Sequence, residues 1–131
     1  MPVQLNHTIV WCRDQARSAG FLADILGLPA PRRFLHFLVV GLANGVSLDY
    51  FQIDKEPSGQ HYAFLVGDAE FDAAFARIKE RGLDFWADPA RSQPGQINRH
   101  FGGRGVYFHD PDKHLMELIT KPYETQAELR P

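Results

Sequence analysis

Two short runs along the chain, 5–12 (LNHTIVWC) and 61–66 (HYAFLV), are rich in β-branched and aromatic residues and apolar on both faces. That pattern predicts strands with one face on a helix and the other on a cavity. Each is followed by an aspartate placed to cap a helix, Asp14 ahead of QARSAGFLADIL and Asp68 ahead of AEFDAAFARIKER. Each predicted helix stops at a glycine, Gly27 or Gly82. In the second, Phe71, Phe75 and Ile78 form one apolar stripe with Asp72, Lys79 and Glu80 off it. After the first helix, 34–42 (FLHFLVVGL) and 45–53 (GVSLDYFQI) flank Ala43-Asn44 and read as a hairpin. After the second come LDFWA, a long polar loop (88–105), GVYFHD and HLMELIT, a similar strand set with an insertion.

The pattern is therefore written twice. His7, Asp14, Ala19 and Phe21 recur as His61, Asp68, Ala73 and Phe75, all offset by 54 residues. The fold class expected is α+β, two βαβββ modules at about 3–53 and 60–121. DKEPSG (54–59) reads as their linker and 122–131 as a C-terminal tail. At 131 residues the chain has room for one domain, so each module is half of it.

Charge changes the picture little. The formal net charge is −2, and Arg32-Arg33 and Arg99/Arg104 are the only local basic concentrations, so neither a nucleic-acid nor a membrane partner is expected. A small-molecule partner is. The N-terminus lacks a signal-peptide core and no apolar run approaches a bilayer span, which predicts a cytoplasmic protein. Cys12 is the only cysteine and reads as a small buried hydrophobe.

Strand alternation puts His7 on one side with Ile9 and Trp11, and His61 with Ala63 and Leu65. Aligning VSLDYFQ on HLMELIT brings Asp49 opposite Glu117, so each half offers a histidine and a carboxylate. Packing about a pseudo-twofold axis would let His7, Asp49, His61 and Glu117 converge. Imidazole and carboxylate together suit one divalent ion, with Fe2+, Mn2+, Ni2+, Co2+ and Zn2+ all admitted.

Over residues 3–121 the chain resembles the vicinal oxygen chelate superfamily, which includes glyoxalase I, fosfomycin-resistance thiol transferases, extradiol dioxygenases and bleomycin-binding proteins. LNHTIV and GVYFHDPDKHLMELIT carry the resemblance. It implies two modules forming a cup around a metal, often shared between chains, and hence a homodimer. By it His7, His61 and Glu117 match the ligand positions, with Asp49 at the place of glyoxalase I's further acid. Tyr107, ten residues before Glu117, stands where dioxygenases and fosfomycin enzymes often carry an active-site tyrosine. Trp11, Phe51 and Ile9 are expected to line an apolar cavity for substrate. His100, in the glycine-rich NRHFGGRG loop, is the candidate acid–base group, and Arg99 and Arg104 are candidates to meet an anionic substrate. His114 is expected on the opposite face from Glu117, in a structural role, and His109 on Tyr107's side; His36 is open.

The implied function is a metal-dependent enzyme acting on a small aromatic or apolar, oxygen-chelating substrate, by lyase/isomerase or ring-cleaving dioxygenase chemistry. The alternative is a non-catalytic protein that binds an antibiotic or natural product. Fosfomycin transfer is disfavoured, since Ile9 stands where those enzymes have threonine.

Overall fold

A computed structural model describes residues 2–123. Within them the chain divides into two compact units, 2–59 with 110–112, and 60–109 with 113–123.

The first unit contains β1 (His7–Cys12), α1 (Gln15–Leu26), β2 (Arg32–Phe34), β3 (Phe37–Gly41) and β4 (Ser47–Gln52). Its sheet runs β1-β4-β3-β2, with β1 parallel to β4 and the other pairs antiparallel. Helix α1 starts where Asp14 accepts the backbone N–H of Arg17 and ends at Gly27, whose φ of 66° suits a residue without a Cβ. Its Ser18, Ala19, Leu22, Ala23 and Ile25 are buried, and the helix packs on β3 and β4. The strand side chains pointing the same way, Val10, Cys12, Val40, Leu48 and Tyr50, complete the core. Burying a side chain the size of Leu22 or Ile25 contributes about 1.5–3 kcal/mol. Cys12 is fully buried, and burial with the nearby charges of Asp112, Asp110 and Asp14 pushes its thiol up to about 12.

Two details depart from expectation. The segment 34–42 is not one strand: it breaks after Phe34, turns through Leu35 at φ 52°, and resumes at Phe37. The unit is the expected βαβββ; a leucine at positive φ carries no turn signal, so the boundary between β2 and β3 within that segment was invisible to pattern reading. Residues 110–112 also belong to this unit: buried Asp112 accepts Ser18 Oγ at 2.8 Å and faces the Arg13 guanidinium at 3.5 Å.

The second unit contains β5 (His61–Leu65), α2 (Asp68–Glu80), β6 (Phe85–Trp86), β7 (Gly105–His109) and β8 (Leu115–Ile119), in the order β5-β8-β7-β6. Again the first strand is parallel to the last and the rest are antiparallel. The N-cap of α2 is Gly67, without a side-chain cap bond; Asp68 instead opens the first turn, where its charge and that of Glu70 favour the helix N-terminus. Phe71, Ala74 and Ile78 are buried, and Phe75 packs edge-on against Phe85 at 5.0 Å.

The long loop is held in place rather than free. Asp88 accepts the backbone N–H groups of Ser92 and Gln93, and the Asn98 amide donates to the Ala87 carbonyl. Past a 3-10 turn at His100–Gly102, the chain returns at Gly105, where an added Cβ would lie 2.8 Å from the Asn98 side chain. Arg104 then clamps the loop to α2, 2.7 Å from Asp72 and 3.1 Å from Asp68.

Candidate metal centre

In each unit the sheet face away from the helix carries the expected polar groups, and the two registers match. His7 pairs with Ser47 and Ile9 with Asp49; His61 pairs with Leu115 and Ala63 with Glu117. Asp49 and Glu117 therefore stand at equivalent positions, each one pleat repeat beyond its unit's histidine along a parallel strand pair.

The second unit's half is a connected polar cluster. Glu117 is 2% exposed, and its Oε1 lies 3.0 Å from His61 Nε2. The other imidazole nitrogen, Nδ1, lies 3.0 Å from the Leu115 carbonyl oxygen. A carbonyl can only accept, so Nδ1 donates to it, and this contact turns Nε2 toward the carboxylate. At 3.0 Å the pair shares a proton as a hydrogen bond, and an imidazole nitrogen beside a carboxylate oxygen is also a donor pair that exchanges that proton for a metal ion. The donor set thus fits a divalent metal, and the Leu115 carbonyl orients the histidine as backbone acceptors commonly orient metal-bound imidazoles.

Tyr107 lies directly across from Glu117 on β7 and stacks on the His61 ring at 6.0 Å. Burial, followed by hydrogen bonding to Glu117 and Tyr123, pushes the Tyr107 hydroxyl far above its ordinary range, so it keeps its proton. Tyr123 donates to Glu117 Oε2 at 2.8 Å, and its hydroxyl is raised too, by burial first and then by Glu117. Sequence reasoning missed Tyr123, which lies in the segment read as a tail. Phe101, at φ 56°, packs on the Tyr123 ring at 5.6 Å, and His100 on Phe101 at 6.2 Å. His100 therefore sits in an exposed turn and reaches Glu117 only through two intervening rings.

The other histidines separate clearly. His114 is fully buried and accepts the Gln60 backbone N–H, a structural role. His109 lies on Tyr107's face beside Trp86, its pKa lowered by burial and by the charges of Arg91 and Lys113. Arg104, read as a possible substrate contact, is engaged by Asp68 and Asp72 and covers the Phe71 ring at 4.5 Å.

The first unit's half is more open. His7 is exposed, with Nδ1 2.6 Å from Asn6 Oδ1, which leaves Nε2 as the ring nitrogen outside that contact. Asp49 Oδ1 accepts the Ser47 hydroxyl at 2.8 Å. These residues, with Ile9, lie along a cavity of about 590 Å³. Trp11 and Phe51, expected in the cavity lining, stand beyond it on the same face, edge to face at 5.4 Å, and Phe34, Phe37 and Val39 line it with Ile9 instead. Among the described residues no three His, Cys, Asp or Glu side chains gather closely enough to hold a metal; the second unit joins His61 to Glu117, and the first holds His7 and Asp49 on one sheet face, one strand apart.

Among proteins of known structure, the chain is similar to Oxidase ChaP-H1, with 58% identity, a TM-score of 0.92, and 94% of this chain and 99% of that one covered. Oxidase ChaP-H2 has 52% identity and the same TM-score, with 95% and 98% covered. It is also 32% identical to the metallothiol transferase FosB of Shouchella clausii over 122 residues, 88% of this chain and 79% of the relative. The model of the Glyoxalase/Bleomycin resistance protein/Dioxygenase superfamily matches residues 4–118, and the chain belongs to that superfamily.

Proposed function

We propose that this protein is a divalent-metal-dependent oxidase acting on a flat, apolar substrate that presents neighbouring oxygen atoms, with His7, His61 and Glu117 as metal ligands and Asp49 as a further carboxylate. The observation that carries the reading is the buried Glu117 carboxylate 3.0 Å from Nε2 of a His61 that the Leu115 carbonyl orients. The oxidase assignment draws its support from the two oxidases that share more than half of their residues with this chain. Because each unit holds half of the donor set, the active form proposed is a homodimer.

When bound, the metal supplies Lewis acidity to the substrate's oxygens. The chain's own groups do the rest. Tyr107, held protonated by burial, transfers its hydrogen bond from Glu117 to an oxygen atom bound beside the carboxylate. Tyr123 fixes the carboxylate by occupying Oε2, leaving Oε1 for ligation. Ile9 in the cavity, with Trp11 and Phe51 beyond it on the same sheet face, provide the apolar bed for the substrate ring. His100, exposed at the loop's edge, is the group available for proton exchange with solvent.

Elemental mass spectrometry on tag-free protein and on His61→Ala tests the site, and an oxygen electrode with 2,3-dihydroxynaphthalene tests the reaction. About one divalent ion per chain, lost in the variant, and metal-dependent oxygen uptake are expected. A chain that takes up no metal from any candidate ion would overturn the reading and leave a binding protein. A second reading, thiol transfer, is favoured by the likeness to FosB; thiol consumption with fosfomycin, without oxygen uptake, would select it.

A further inference from the structure

The face of the first unit's sheet that carries His7 has a regular order. One row of the register reads Trp11, Phe51, Phe37 and Phe34 across β1, β4, β3 and β2, so four aromatic rings lie side by side. The Phe51 ring touches Trp11 at 5.4 Å and Phe37 at 5.5 Å, and Trp11 and Phe34 remain 42% and 61% exposed. The adjacent row reads Ile9, Asp49, Val39 and Arg32. Arg32 thus ends that row on the edge strand, lines the same cavity as His7 and Asp49, and makes no ion pair among the described residues. Arg33, next to it, is tied at 2.7 Å to Gln15 Oε1 and adds a second positive charge at the cavity wall.

We propose that Arg32 is an anion-binding residue for the substrate, and that the substrate is a fused-ring aromatic with an acidic group, carboxylate or sulfonate, at the end remote from its chelating oxygens. The inference rests on the reading that His7 and Asp49 mark the metal end. Strands lie about 4.8 Å apart, so Arg32 is about 10 Å from the Asp49 strand and about 14 Å from the His7 strand. A fused-ring system laid along the aromatic row, met by the length of the arginine side chain, bridges that span. The guanidinium is planar and forked, so it takes a carboxylate or sulfonate through paired hydrogen bonds, and the apolar bed beside it excludes water that would weaken the contact. A neutral aromatic would fill the same bed and leave the charge at Arg32 unanswered.

The test compares 6,7-dihydroxynaphthalene-2-sulfonate with neutral 2,3-dihydroxynaphthalene, following naphthalene fluorescence in metal-free and metal-loaded protein. The sulfonate is expected to bind at least tenfold more tightly. In Arg32→Gln its Kd should rise to that of the neutral compound, whose own Kd stays put, and Arg32→Lys should recover part of the difference. Equal affinities in the parent protein, no binding of either compound, or a preference that survives Arg32→Gln would each overturn the proposal. A preference abolished by Arg32→Gln in protein that takes up no metal would keep the anion site and discard the metal reading; metal-dependent oxygen uptake without the preference would do the reverse.

Discussion

At the scale of single residues, the informative contrast is between the two oxygens of Glu117. Oε1 faces His61 Nε2 and Oε2 accepts from Tyr123, so one oxygen is placed for a cation and the other is held by a neutral donor. Removing the carboxylate and removing its support should therefore separate. Glu117→Ala is expected to abolish measurable metal uptake. Tyr123→Phe, which keeps the ring packed against Phe101 but loses the hydroxyl, is expected to weaken metal affinity about 10- to 100-fold, the usual effect of deleting a partner behind a ligand. Competition with a chelator of known affinity measures both, and an unchanged affinity in Tyr123→Phe would show the hydrogen bond to be structural only. Tyr123 escaped sequence reading because alternation along a strand says which way its side chains point, and nothing about where the chain goes after the strand ends. Arg32 escaped for a related reason: a three-residue edge strand entered through a leucine at positive φ is too short to show a period.

The elements themselves were far more legible. The 54-residue offset and the alignment of VSLDYFQ on HLMELIT correctly anticipated that Asp49 and Glu117 hold equivalent registers, because a buried strand face ties register to the apolar pattern. What the pattern did not carry was the tie between α1 and residues 110–112. Asp112 is 4% exposed and answers a buried serine hydroxyl on α1 from far along the chain, a contact with no local signature. Asp112→Ala should leave Ser18 Oγ and the Arg13 backbone N–H without this acceptor, at a cost of about 1–3 kcal/mol. Urea denaturation at constant m-value would report it as a lowered midpoint. Exposed Asp24→Ala, on the same helix, should move the midpoint far less, and equal shifts would mean that the buried bond is not what the aspartate contributes.

For the whole molecule, what matters is that the proposed donor set is divided. The unit holding His61 and Glu117 has the buried carboxylate, the orienting carbonyl and both tyrosine hydroxyls, while the unit holding His7 and Asp49 has an exposed imidazole beside an open cavity. Two ligands hold a divalent ion far less tightly than three or four, because each added donor binds an ion already fixed in place. If the homodimer supplies the missing donors, metal affinity and subunit association are linked, and each must strengthen the other by the same factor. Dilution of metal-loaded protein should then release metal over the same concentration range in which the dimer dissociates, and added metal should shift that range to lower protein concentration. Mixing His7→Ala with His61→Ala chains extends the test: if the two halves of a site come from different chains, one site in the mixed dimer is intact, and half of the mixed dimers' sites should regain metal. If each chain closes its own site, mixing restores none, and metal content is independent of dilution.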